Sequence, residues 1–600
     1  MQLSSLDISI IIASLGVSLL IGLYSYRSAS KNFSSYFLGG GKMPWWLLGI
    51  SMVATTFAAD TPNFVTQIVR QKGVSQNWIW WAFLLTGMLT VFVYAKLWKR
   101  SGVLTDLEFY ELRYSGAPAA FLRGFRAVYL GLIFNCLVMA VVIHAGIKIG
   151  GVLLGLTPLQ VVLIGGVVTV FYTMLGGLRG VILTDFFQFI LAIVGAVGAA
   201  IVILRMPEIN GVQNLISHPN VADKINILPN LTDREVFIPL LIIPLAVQWW
   251  SSWYPGAEPG GGGYVAQRML SAKSEADATG ATLLFNVAHY ALRPWPWIIV
   301  ALASLIIYPN LAALQDAFPD IDQAFINDDL AYPAMLSLLP KGLIGIVIAS
   351  LIAAFMSTIS THLNWGSSYI SNDLYHRFMK PAATEKEVVA VGRLSTLVMM
   401  IIASLIALEL GGALEGFNII LQIGAGTGLI FILRWFWWRI NAYTEIAGMV
   451  ISFAVALFFY VNGKLEFFEP ALQLADWEKL LWGVGITTLG WLVVTFITRP
   501  TERDVLTKFY LKVKPDTYGW KPIQHTLTEK NIELHNQNVL GVGITSMLTA
   551  TLLVYSLLFG VGYVIYSKFT NALIAVLIAI ICSFILIRLW PKLKMDQENE

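Results

Sequence analysis

Runs of apolar residues long enough to cross a hydrocarbon core of about 30 Å recur along the whole chain, separated by polar connections. Counting about 17 to 25 apolar residues as one crossing gives roughly fifteen helical spans. They lie near residues 6 to 26, 44 to 69, 77 to 97, 125 to 154, 158 to 175, 181 to 205, 236 to 256, 279 to 308, 341 to 371, 387 to 410, 416 to 438, 442 to 461, 477 to 497, 540 to 565 and 569 to 591. The second span contains an anomaly. Its "SMVATTFAADTPNFV" sets Asp60, Thr61 and Pro62 in the middle of an apolar run. Pro62 has no amide hydrogen and its ring clashes with the carbonyl of Ala58, so the helix is expected to break between about Phe57 and Thr61. Backbone oxygens freed at membrane depth are tolerated where they line a cavity or hold a ligand. A plain proline kink packed on a neighbour is the structural alternative.

Polar side chains inside other spans are costly and therefore candidates for function. The ninth span carries Ser357, Thr358, Ser360 and Thr361, and positions 354, 357, 358 and 361 share one helical face. Hydroxyls in membrane helices often serve only packing. Beside a broken helix, however, hydroxyl and carbonyl oxygens form the ligand type that suits a small hard cation. Asp185, in "TMLGGLRGVILTDFFQF", lies a few residues into the sixth span. It can neutralise a cation or relay a proton; with Thr184 beside it, helix capping is the other reading.

Composition and charge narrow the class. Of 600 residues, 57% are hydrophobic and 12% charged, with a mean hydropathy of +0.70, which marks an integral, multi-pass membrane protein. The first span lacks a basic leader and a small-residue exit, so a retained helix is expected rather than a cleaved signal. Cys136 and Cys582 both lie in apolar runs and read as core thiols. The net charge of +3 resides in connecting loops, and no basic tract points to nucleic acid. Lys and Arg concentrate in alternate loops, "QRMLSAK" among them, which places the N-terminus outside and the C-terminus in the cytoplasm. Residues 498 to 539 form a polar linker before two appended spans, 540 to 591. No His-Glu-x-x-His, Gly-x-Ser-x-Gly or paired-Cys pattern supports an enzyme.

The broken second span, "GGLRGVILTDFFQ", "VAQRMLSAKS", and "AAFMSTIST" followed by "SNDLYHR" together resemble the sodium:solute symporter family over roughly residues 5 to 497. The resemblance implies an all-α, LeuT-type core of two inverted five-helix repeats, residues 44 to 205 and 236 to 438. A peripheral helix precedes it at 5 to 30, and further peripheral helices follow at 442 to 497. It further implies a principal sodium site from the main-chain oxygens of Ala54, Phe57 and Ala354 and the hydroxyls of Ser357 and Thr358. The positions matching a further sodium site in some members are Asp185, Ser357, Ser360 and Thr361, so the expected cofactor is one sodium ion, or two.

The solute side follows the family pattern only in part. The second and third spans present Asp60, Thr61, Trp80 and Trp81 where sugar-transporting relatives carry amide and carboxylate groups. The seventh span, "AVQWWSSWYPGAEPGGGGYVAQR", offers Gln248, Trp249, Trp250, Trp253 and Tyr254, a mixture suited to a small-solute pocket or to a membrane interface. Its "GAEPGGGG" reads as an insertion, flexible or close-packed near the inner gate. Arg293 in "NVAHYALRPWPW" can face an anionic group, pair with Asp60 or snorkel. Gln422 lies near a position where relatives contact substrate. The expected function is sodium-coupled uptake of a small polar solute, a sugar or polyol first and an amino acid or carboxylate second, across the plasma (inner) membrane by alternating access. A solute sensor that does not transport is the reading from another class. The expected partners are the solute, sodium and the lipid bilayer, with no obligatory protein.

Overall fold

Each long apolar run becomes a helix because hydrocarbon offers no partner to a backbone amide or carbonyl, and a helix satisfies them within the segment. The computed structural model describes residues 3–29, 32–251, 258–319, 321, 323, 326–409, 425–465, 474–516, 518–530, 532 and 540–594. Among these, eleven helices are long and apolar enough to cross a membrane. Four local features separate this number from the fifteen spans read from the sequence. The second span is broken in two, and the seventh is assembled from short pieces, among them Ile238–Ile242 and Pro244–Gln248, each carrying a proline in its first turn. The eleventh is described only from residue 425 and is helical there over Gly428–Phe436. The fifth and sixth form one hydrogen-bonded run, Pro158–Leu204, with non-helical backbone at Gly177.

Gly177 reverses the chain. The Tyr172 hydroxyl donates to the carbonyl of Met356 at 3.0 Å, and Asp185 accepts from Ser357 at 2.6 Å. At about 1.5 Å per residue, a straight helix would hold residues 172 and 185 roughly 20 Å apart, so both could not reach neighbouring positions of one helix. Gly177 has φ 53° and ψ −160°, and a Cβ there would lie 2.6 Å from the carbonyl oxygen of Tyr36. Only glycine suits that conformation and that approach.

Ion pairs mark the connections between spans on two faces. On one, Arg100 pairs with Glu275 at 2.9 Å, Arg123 with Asp373 at 2.7 Å and Arg377 with Glu111 at 2.7 Å. On the other, Arg70 pairs with Asp328 at 2.8 Å and Lys148 with Asp329 at 3.2 Å. Residues 498–539 are not a loose tether where described. They form Arg503–Val513 and Lys521–Glu529, and the buried Trp520 donates to the carbonyl of Trp435 at 2.9 Å. The fourteenth span, Leu540–Ile565, likewise packs into the bundle: Tyr555 donates to the carbonyl of Trp81 at 2.9 Å, and its Leu558 carbonyl accepts from Trp295 at 2.9 Å.

Candidate functional site

The second span runs as a helix over Trp45–Thr55, loses helical form, and resumes over Thr61–Lys72. Pro62 stands in the first turn of the second half, where a missing amide costs nothing. The carbonyl of Ala58, which Pro62 leaves without its usual partner, is taken by the amide of Thr61 at 3.1 Å. At the other end of the break the amide of Phe57 contacts the carbonyls of Val53 and Ala54 at 3.0 and 3.1 Å. The carboxyl end of one half-helix and the amino end of the other thus meet at the gap, each with its partial charge.

Against this gap lies the hydroxyl face of Leu343–Ser368. Thr358 Oγ1 lies 2.9 Å from the carbonyl oxygen of Thr55 and 3.1 Å from that of Ala354. One hydroxyl proton cannot serve both acceptors, so three oxygens cluster with a single hydrogen among them. Of the groups expected to bind sodium, the structure brings Ala354 and Thr358 together at Thr55. The carbonyl of Ala54 is next to the Phe57 amide, and Ser357 donates instead to Asp185. Thr361, on the same face, meets Thr55 Oγ1 at 3.0 Å.

Asp185 is no helix cap. It lies inside Pro158–Leu204 and is fully buried, with its two oxygens accepting from Ser357 at 2.6 Å and Ser51 at 2.5 Å. The guanidinium of Arg268 stands 3.7 Å from it, also at 0% exposure. The loop "QRMLSAK" inferred from the sequence is therefore corrected: Gly263–Ser271 is a buried helix that carries Arg268 inward. A basic residue near a span end reads as a loop charge when its partner, 83 positions away, is unknown. Ser51 and Thr55, one helical turn apart, are site residues that the sequence pattern did not single out: Ser51 donates to Asp185, and Thr55 meets Thr358 and Thr361 of the ninth span.

Among the residues expected to meet the solute, Arg293 does not snorkel. It is buried, donates to Thr56 Oγ1 at 3.2 Å and lies over the Phe57 and Trp297 rings at 5.9 and 5.1 Å. His289 completes the group, with Nδ1 3.0 Å from Thr56 Oγ1 and Nε2 3.4 Å from Arg293. Trp80 stacks on Tyr290 at 5.9 Å and meets His289 edge-on at 5.8 Å. Asp60 Oδ1 is shielded and has no partner among the described residues. Thr61 opens the second half-helix beside it. Trp81 is fully buried against Trp78, with ring centroids 5.8 Å apart. Gln248 donates to the carbonyl of Ile79 at 3.1 Å, and the carbonyl of Trp249 accepts from Thr86, which sets the seventh span beside the third. Trp253 and Gln422 lie outside the described residues. The "GGGG" run is close-packed: the Gly260 carbonyl accepts from Trp98 at 2.8 Å.

Residues 36–452 match the sodium:solute symporter family. The chain is 25% identical over 475 residues to a sodium/glucose cotransporter of Vibrio parahaemolyticus, covering 76% of this chain and 85% of the relative. It is 26% identical over 553 residues to a sodium/myo-inositol cotransporter 2 of Oryctolagus cuniculus, covering 83% and 78%. To the sodium/sialic acid symporter SiaT of Proteus mirabilis (strain HI4320) it is 25% identical over 478 residues, covering 77% and 91%. A solved structure of a sodium-coupled sialic acid symporter, in a substrate-bound outward-open state, superposes with a TM-score of 0.64 at 21% identity, covering 83% of this chain and 99% of that one. The fold is the LeuT-type all-helical arrangement that the resemblance implied. These relatives are transporters and not enzymes. The chain belongs to the sodium:solute symporter family, and it is a multi-pass membrane protein.

Proposed function

We propose that this protein couples inward sodium movement to the uptake of a sugar or polyol by alternating access, in the plasma (inner) membrane with its N-terminus outside. The observation that carries the reading is the position of Thr358, whose hydroxyl lies between the carbonyl of Thr55, at the edge of the break in the second span, and that of Ala354 on the ninth. A sodium ion held by Ala54, Phe57, Ala354, Ser357 and Thr358 would pin the broken helix to the ninth span and so favour the conformation that completes the solute pocket. A membrane potential supplies about 2.3 kcal/mol per charge per 100 mV, so one sodium sustains roughly a fiftyfold solute gradient.

The pocket takes its shape from Asp60, Thr61, Trp80, Trp81, Gln248, Trp249 and Arg293, with Trp253 and Gln422 assigned by the sequence resemblance. Trp80 and Tyr290 supply flat apolar faces, and Arg293, His289 and Asp60 supply polar atoms beside them. That combination suits a ring with hydroxyls, and the glucose, myo-inositol and sialic acid relatives support the same class. An amino acid or carboxylate is the second reading, because Asp60 and Arg293 offer one carboxylate and one guanidinium, which together match a zwitterion. Uptake of a sugar and polyol panel against an amino-acid and carboxylate panel, in proteoliposomes with and without a sodium gradient, tests the proposal. Sodium-driven accumulation confined to the second panel would reject the sugar reading, and saturable binding with no flux would favour a sensor.

A further inference from the structure

The four positions that match a second sodium site, Asp185, Ser357, Ser360 and Thr361, are all engaged with the protein itself. Asp185 accepts from Ser357 and Ser51. Ser360 donates to the carbonyl of Ser357 at 3.0 Å. Thr361 Oγ1 accepts from Arg268 Nη2 at 2.7 Å, and that same nitrogen stands 3.7 Å from Asp185 Oδ2. One charged nitrogen therefore occupies the ground between the carboxylate and the Thr361 hydroxyl.

The guanidinium is held there firmly. Its Nε and Nη2 each lie 3.4 Å from Ser51 Oγ, Nη2 lies 3.5 Å from Thr55 Oγ1, and Nη1 donates to Gln267 Oε1 at 3.2 Å. Gln267 is itself fixed by donating to Asn364 Oδ1 at 2.9 Å and to the carbonyl of Phe37 at 3.0 Å. A buried carboxylate is sustained by one opposite charge and a closed set of hydrogen bonds, and Asp185 has both. A sodium ion added beside this guanidinium would set two cations against one carboxylate where no solvent screens them.

We infer that Arg268 is the resident counter-charge of Asp185, that the guanidinium and a second sodium exclude one another, and that the protein consequently carries one sodium per solute. The inference rests on the sodium-symport reading. It further predicts that removing the charge while keeping an amide, as in Arg268→Gln, opens a latent sodium site at Asp185.

Equilibrium binding of radiolabelled sodium to the purified full-length protein, in choline-balanced buffer, tests it by counting ions without requiring transport. The wild type and Arg268→Lys should saturate at one sodium per chain and Arg268→Gln at two, the second lost again in Arg268→Gln/Asp185→Asn. Two sodium ions bound to the wild type, or one bound to folded Arg268→Gln, would overturn the inference. If Arg268→Gln does not fold, the wild-type count still decides between one and two. A wild type that binds no sodium would reject the symport reading itself, which separates the two failures.

Discussion

Thr358, on the ninth span, places its hydroxyl oxygen 2.9 Å from the carbonyl oxygen of Thr55, the last helical residue before the break in the second span. Two elements more than 300 positions apart thus meet through one small polar group at the gap. A hydroxyl bonded to an ion contributes about 1.5–3 kcal/mol. Thr358→Ala should therefore raise the sodium concentration for half-maximal uptake by about ten- to a hundredfold, while Thr358→Ser leaves it near the wild-type value. Unchanged sodium dependence in Thr358→Ala would remove this residue from the site.

Arg293 touches the unwound segment through Thr56 at 3.2 Å and lies over the ring of Phe57. The proposed role of Arg293 on the solute side predicts that Arg293→Gln raises the solute concentration for half-saturation by about tenfold or more. The sodium concentration for half-saturation should shift much less. Solute binding by isothermal calorimetry at saturating sodium separates the two, and an unchanged solute affinity would return Arg293 to a structural role.

Gly260 has φ +87°, and a Cβ there would lie 2.9 Å from the ring of Tyr94. Gly260→Ala would combine backbone strain with overpacking, at a cost of about 1–3 kcal/mol. Thermal unfolding of the solubilised protein should show a lower midpoint. A midpoint equal to wild type would mean that the glycine-rich run is loose rather than packed against the third span.

Glu111 lies between spans and pairs with Arg377 and Arg123, each at 2.7 Å. Burial alone pushes its carboxyl up, but hydrogen bonds from Arg377 and Arg123 outweigh it and hold the group below its ordinary 4.5. The unfolded chain then binds the proton more tightly, so this stabilisation is complete above pH 4.5 and is lost as pH falls through the lowered value. Wild type and Glu111→Gln should differ in unfolding midpoint at neutral pH and converge in acid. A gap that stays constant with pH would show that the carboxylate's charge contributes nothing.

The parts that could be read from the sequence are those with a local cause. Pro62 removes a donor four residues from Ala58, which predicts a break between Phe57 and Thr61, and the helix stops at Thr55 and restarts at Thr61. The hydroxyl face of the ninth span follows from helical period, and Ala354, Ser357, Thr358 and Thr361 do face one region. What could not be read depends on distant partners. Arg268 looked like a loop cation because it stands just beyond the end of an apolar run, whereas its carboxylate lies on another helix. Asp185 looked equally like a cap because Thr184 precedes it, yet Thr184 donates to the carbonyl of Gly180 and Asp185 faces Ser51. The fourteenth span gave no sign of its contacts with Trp81 and Trp295, since an apolar face facing protein resembles one facing lipid.

The most direct test of the central claim is uptake of a labelled sugar or polyol into proteoliposomes under an inward sodium gradient and an inside-negative potential. The account predicts transient accumulation above equilibrium that vanishes when choline replaces sodium and is strongly reduced at low sodium in Thr358→Ala. Equal accumulation with sodium or choline outside would contradict it.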